Sequence, residues 1–130
     1  MIVVDANVLV AHFETTDAHH DRADTLLLET AGEALAASPL TLAEVLVTPT
    51  RAGQVDRANA ALTELGVVTV DLDHDAPARL ATLRATTSLR LPDCCVLLAV
   101  EQTGASLATF DERLAAAARS HGHTVLGQPA

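Results

Sequence analysis

Ile2-Val3-Val4-Asp5-Ala6-Asn7-Val8-Leu9 is the stretch that decides the fold. Three β-branched residues make a short strand, Asp5 closes it, and a short helix over residues 7–13 follows at once. The same alternation recurs along the chain. Short apolar runs at residues 34–37, 67–70, 106–108 and 124–126 are each separated from the next by a helical pattern. Alternation of this kind predicts an α/β fold, a parallel sheet of four or five strands covered by helices.

The helices are marked by their spacing and their ends. Residues 18–30 repeat Ala23, Leu26, Leu27 and Ala31 at helical spacing, with acids and Arg22 on the other side. Pro39 stands where a helix can start after the second strand, and Leu40, Ala43 and Val47 are expected to share one face of it, with Glu44 beside them. Residues 54–65 form a further helix, ended by Gly66. Asp75 and Pro77 open the next, Pro92 opens an apolar helix that stops at Gly104, and Asp111 opens a last helix over residues 112–120. No linker, repeat or low-complexity segment interrupts residues 1–130, so the chain reads as one domain.

Composition narrows the function. With 49% of residues apolar the chain can bury a core, and the two Phe, without any Trp or Tyr, leave that core to aliphatic side chains. The longest uninterrupted apolar stretch, residues 94–100, is far short of the roughly 20 residues that span a bilayer. Met1 leads into Asp5 without a basic segment, so no signal peptide is expected and the protein reads as soluble and cytoplasmic. Cys94 and Cys95 are neighbours that point about 100° apart on a helix, which excludes an ordinary disulfide between them, and buried structural roles are expected rather than reactive thiols. The net charge is −9 and every basic residue is Arg, which argues against broad, nonspecific nucleic-acid binding.

Four acids stand out by position. Asp5 ends the first strand and Asp111 follows the fourth; if those strands are neighbours, the two carboxylates meet in the crevice outside the strand ends. Each is also a natural N-cap for the helix it precedes. Asp93 lies in the first turn of an apolar helix, where a negative charge suits the helix dipole. Glu44 interrupts an apolar helical run, so it lies at the edge of a buried face or has a partner. Two unit charges about 4 Å apart repel by about 4 kcal/mol at an effective dielectric near 20, so converging acids call for divalent cations. Mg²⁺ and Mn²⁺ prefer such oxygen ligands and can drive phosphoryl displacement.

The local context of each acid resembles the PIN-domain ribonuclease family along essentially the whole chain. Residues 2–9 resemble its opening strand and first acid, and Ser38-Pro39-Leu40-Thr41-Leu42-Ala43-Glu44-Val45 its second motif. Leu91-Pro92-Asp93-Cys94-Cys95 is similar to the third, and Leu107-Ala108-Thr109-Phe110-Asp111-Glu112-Arg113-Leu114 to the fourth. Ala6 stands where many members carry Ser or Thr. The resemblance implies a three-layer α/β/α sandwich and an endoribonuclease using Mg²⁺ or Mn²⁺ held by Asp5, Asp93 and Asp111, with Glu44 as a further catalytic acid. Asn7 and Thr109 would orient water or carboxylates, or serve only as local caps. Arg90 would contact a substrate phosphate or remain a solvated charge, and Arg22 and Arg51 carry the same two readings. Chain size resembles the VapC-type toxins of VapBC toxin–antitoxin pairs, implying an RNA substrate, a cognate VapB-type antitoxin and a homodimer.

Two other readings compete. A PIN fold that no longer cuts would keep the architecture as a binding module. A haloacid-dehalogenase-type phosphatase also begins with a strand ending in Asp, but it wants Asp-x-Asp and a downstream Lys, whereas here Asn7 stands second and Lys is absent. The histidines His12, His19, His20, His121 and His123 are expected at surface or turn positions, because none has zinc-ligand spacing.

Overall fold

The computed structural model describes residues 1–129. β1 (Ile2–Val4) leads into α1 (Ala6–Phe13) and α2 (His20–Glu29), followed by β2 (Leu35–Ala37), α3 (Pro39–Arg51), α4 (Val55–Leu65) and β3 (Val67–Thr69). The second half runs α5 (Ala76–Thr86), α6 (Leu91–Thr103), β4 (Ser106–Ala108), α7 (Glu112–Ser120) and β5 (Val125–Leu126). The strands form one five-stranded sheet in the order β3-β2-β1-β4-β5, and every pairing is parallel.

Side chains alternate across each strand and feed two cores. Ile2 and Val4 pack with Val8, Leu9, Ala23, Leu26, Val45 and Leu62 on the face covered by α1 to α4. Val3 points the other way, joining Leu83, Val96, Leu97, Val100 and Leu114 from α5, α6 and α7. Leu35 and Ala36 divide in the same manner, as do Ala108 and Leu107. The result is the three-layer sandwich expected from the sequence. Both faces of β1 are covered, which is why its three residues are all apolar rather than alternating with polar ones.

Strand order reverses direction around β1. The chain first builds outward through β2 and β3, then crosses to the opposite side of β1 to place β4 and β5. The C-terminal ends of β1 and β4 therefore flank the switch point of the sheet, the usual ligand crevice of an open α/β sheet. A third segment seals that end. Gly127 has φ 92°, and a Cβ there would lie 2.9 Å from the Thr109 carbonyl oxygen, so this close approach demands glycine.

One sequence expectation is corrected in the helices, and the shared face of Leu40, Ala43 and Val47 proves to be the outer one. α2 ends at Glu29, leaving Ala31 exposed beyond it. On α3 the inner face is Thr41 and Val45, with Leu42 and Leu46 packed against the core, whereas Leu40 and Val47 are exposed and so is Ala43. Both candidate stripes are apolar at helical spacing, so periodicity alone cannot choose between them. The buried stripe includes a hydroxyl: Thr41 is fully buried and its Oγ1 lacks a hydrogen-bond partner among the described residues.

Candidate active site

β1 and β4 are neighbours, in register Val4 to Ala108, so their following residues meet. The Asp5 amide donates to the Ala108 carbonyl at 2.9 Å, extending the ladder one residue beyond the strand. Its carboxylate is buried and accepts two hydrogen bonds: Oδ1 from the Ala6 amide at 2.8 Å, and Oδ2 from Thr109 Oγ1 at 2.8 Å. The capping role and the convergent role therefore coexist in one side chain.

Thr109 is fully buried and acts as the hub. Its hydroxyl gives its proton to Asp5 while accepting from the Asp111 amide at 3.0 Å and, more weakly, from Asn7 Nδ2 at 3.4 Å. Asn7 Oδ1 accepts from the Phe110 amide at 3.2 Å, so Asn7 also ties the start of α1 to the chain after β4. Asp111 caps α7: its Oδ1 accepts from the amides of Arg113 at 2.8 Å and Leu114 at 3.1 Å. Oδ2 of Asp111 has no hydrogen bond among the described residues.

Asp93, in the first turn of α6, completes the acidic group from the other helical layer. Burial raises its carboxyl above the ordinary range, and the Asp111 charge adds to the rise, while Arg90 and Arg113 oppose it. Asp5 is pushed up to about 6, by burial above all, with Asp93 and Asp111 adding to it and the bonds from Thr109 and Ala6 opposing. Glu44 is exposed as a residue, yet desolvation and the Asp93 charge raise it too. Asp93 is thus a neighbour shared by Asp5, Glu44 and Asp111, and Asp111 also acts on Asp5 directly.

The donor set is all carboxylate oxygen, the chemistry that Mg²⁺ and Mn²⁺ favour. Among the described residues, no three acidic, His or Cys side chains are already gathered around a common ion position. The acids are close enough to raise one another, but their oxygens do not yet form a closed cage. Like charges without a counter-ion repel, so a divalent cation would offset the cost of drawing them together.

Among the arginines, Arg90 stands exposed at the N-terminal boundary of α6. Arg113 was not singled out from the sequence, and its position two residues past Asp111 was the available signal. Arg22 is committed elsewhere: its guanidinium lies 4.5 Å from the Phe110 ring centroid and donates to the Gly127 carbonyl at 2.7 Å. Arg51 is exposed in the last turn of α3. The histidines are more engaged than expected. His12 and His20 both meet Asp24, at 2.7 and 3.3 Å, and His121 meets Glu101 at 3.3 Å. Cys94 and Cys95 are buried and free, with burial raising both thiols, which fits structural rather than reactive roles.

Comparison with known proteins settles the family. A family model described as PIN domain matches residues 2–120. The chain belongs to the PIN-domain family. The match does not favour a haloacid-dehalogenase-type phosphatase. No curated protein sequence matches the chain. Similar solved structures include a toxin–antitoxin complex from Klebsiella pneumoniae, at 23% identity and TM-score 0.75, covering 100% of this chain and 97% of that one. The sarcin–ricin-loop-cleaving toxin VapC20 of Mycobacterium tuberculosis aligns at 18% identity and TM-score 0.75, covering 90% and 95%. VapBC2 of Rickettsia felis, solved with a promoter DNA fragment, aligns at 14% and TM-score 0.68, covering 97% and 98%. At these identities the likeness is one of PIN fold. Among the described residues, no helix is long and apolar enough to cross a membrane.

Proposed function

We propose that this PIN-domain chain, read as one unit over residues 1–130, is a metal-dependent endoribonuclease and the toxin half of a VapBC-type toxin–antitoxin pair, acting in the cytoplasm. The observation that carries the reading is the meeting of the Asp5 carboxylate and the Asp111 amide on the Thr109 hydroxyl at the sheet's switch point, with burial, and then Asp93 and Asp111, raising the carboxyl of Asp5. Such mutual strain among carboxylates is a cost without a cation and an asset with one. The fold it shares with VapC20, described as cleaving the sarcin–ricin loop, supports RNA as the substrate class.

Asp5, Asp93 and Asp111 would hold Mg²⁺ or Mn²⁺. A divalent cation in such a site supplies Lewis-acid chemistry, neutralising charge on phosphate oxygens and making water acidic enough to attack. The remaining work belongs to the chain. Thr109 holds Asp5 Oδ2 by a hydrogen bond, and Asn7 ties the chain after β4 to the start of α1. Asp111 keeps Oδ1 on its own helix and leaves Oδ2 available. Glu44, with its raised carboxyl, retains a proton to higher pH than an ordinary glutamate and so can exchange one near the scissile bond. Arg90 would meet a substrate phosphate at the mouth.

The partners in this reading are RNA, a cognate VapB-type antitoxin and a second copy of the chain. A groove of about 930 Å³ runs past Val10, Phe13, Val45, Arg57 and Glu44, and its apolar lining beside an acid would accept an antitoxin segment with apolar and basic side chains. The direct test is incubation of antitoxin-free protein with a mixed cellular RNA pool and Mg²⁺ or Mn²⁺, beside EDTA and Asp5→Ala. Metal-dependent cutting that disappears in the variant is expected. Absence of cutting with both metals would return the chain to a binding-module role.

A further inference from the structure

Arg113 lies in the first turn of α7, where its amide caps onto Asp111 Oδ1 at 2.8 Å. Its side chain crosses to the loop ahead of α6, and Nη2 donates to the Ser88 carbonyl at 3.3 Å and to Ser88 Oγ at 3.0 Å. Ser88 shortly precedes Arg90 and Asp93 in the chain. The guanidinium therefore bridges the two segments that carry Asp111 and Asp93.

Its partners are neutral. Arg79 is paired with Asp73 and Glu101, but neither Arg113 nor Arg90 forms an ion pair among the described residues. Arg113 is exposed, and its Nη1 and Nε donors are unengaged among the described residues. Its charge nevertheless reaches Asp93, opposing the rise of that carboxyl. In a chain of net charge −9, a guanidinium held next to acids, without being neutralised by them, retains a planar fork of donors for a bidentate anion. Phosphate oxygens of a strand lying across the acids would meet that fork.

We propose that Arg113 is a substrate-positioning residue that binds an RNA backbone phosphate beside the acidic site, held in place by Ser88; this rests on the nuclease reading above. The contact is to the backbone, so it contributes affinity and register without sequence preference. Arg90, on the other side of Ser88, would extend the same basic rim.

The test uses fluorescence anisotropy with a fluorescein-labelled, random-sequence single-stranded RNA, in Ca²⁺, across a series of salt concentrations. Wild type, Arg113→Ala, Arg113→Lys and Ser88→Ala are compared, with thermal melts to check folding. Arg113→Ala is expected to bind about tenfold more weakly, the size of a lost charge-assisted contact. Its plot of log affinity against log salt should flatten by about 0.7, the value for one lost single-strand phosphate contact. Arg113→Lys should retain most of that slope, and Ser88→Ala should stay within about twofold of wild type. An unchanged slope in Arg113→Ala, or no RNA binding by wild type, would each overturn the proposal. A wild type that binds this RNA but never cuts it in Mg²⁺ or Mn²⁺ defeats the nuclease reading instead, with Arg113 still judged by the salt slope.

Discussion

Thr109 Oγ1 stands 2.8 Å from Asp5 Oδ2 across the β1–β4 junction, and it has one proton to give. That proton goes to Asp5 because the other two neighbours of the hydroxyl, the Asp111 amide and Asn7 Nδ2, are both donors. One buried hydroxyl therefore sets the orientation of one acid and the helix entry of another.

Replacing Thr109 with Val keeps the shape and removes the hydroxyl. The Asp5 carboxylate and the Asp111 amide would each lose a buried partner, at a combined cost of about 1–3 kcal/mol. Divalent-cation affinity should fall about 10- to 100-fold, as is usual when a residue orienting a ligand is lost. Urea unfolding and calorimetric titration with Mn²⁺ check the two effects, and Thr109→Ser should restore most of both.

The raised carboxyl of Asp5 makes cation-free protein lose stability as pH rises. The folded state holds the Asp5 proton up to about 6, against an ordinary value of 3.8, so the folded form binds more protons between those values. This contribution is complete below about 3.8 and is lost as pH passes through about 6, an effect of at most about 3 kcal/mol. Asp93 and Glu44 are raised as well and act in the same direction. Thermal melts in EDTA from pH 4 to pH 7 should therefore decline less steeply for Asp5→Asn than for wild type.

Glu44→Gln removes a charge that sits close to Asp93 but lies on an exposed residue. Folding stability should change by no more than about 0.5 kcal/mol. RNA cleavage should fall by about 100-fold or more if Glu44 exchanges a proton in the reaction. Parallel melts and single-turnover cleavage separate these outcomes.

Gly127→Ala tests the seal over the β4 end. The substitution places a methyl group 2.9 Å from the Thr109 carbonyl in a backbone held at φ 92°. A loss of about 1–3 kcal/mol in urea unfolding is expected, from strain and the displaced segment. The Gln128 Nε2 bond to the same carbonyl, 2.8 Å long, should weaken with it.

The layered fold was legible because β1 and the other strands are short apolar runs between helices whose ends are marked by residues such as Ser38, Gly66, Gly104 and Asp111. The nearness of Asp5 to Asp111 was legible for a related reason: both lie just past the ends of strands that are neighbours in the sheet. Their dependence on Thr109 was beyond reach of the sequence as anything more than one option, since a hydroxyl more than a hundred residues away is an equally good local cap. Which α3 face turns inward was not legible because two stripes share that helix, and only packing against α1, α4 and α6 selects Thr41 and Val45. Arg113 was overlooked because its significance comes from Ser88, on a loop that spacing does not connect to α7.

Calorimetric titration of Mn²⁺ into purified, antitoxin-free protein at pH 7, wild type beside Asp93→Asn, tests most directly whether these acids form a cation site. Saturable binding to wild type is expected, with at least about a tenfold weaker response in the variant, which keeps its shape and loses only a charge shared by the other acids. Equal binding to both proteins, or none to wild type, would contradict the cation site.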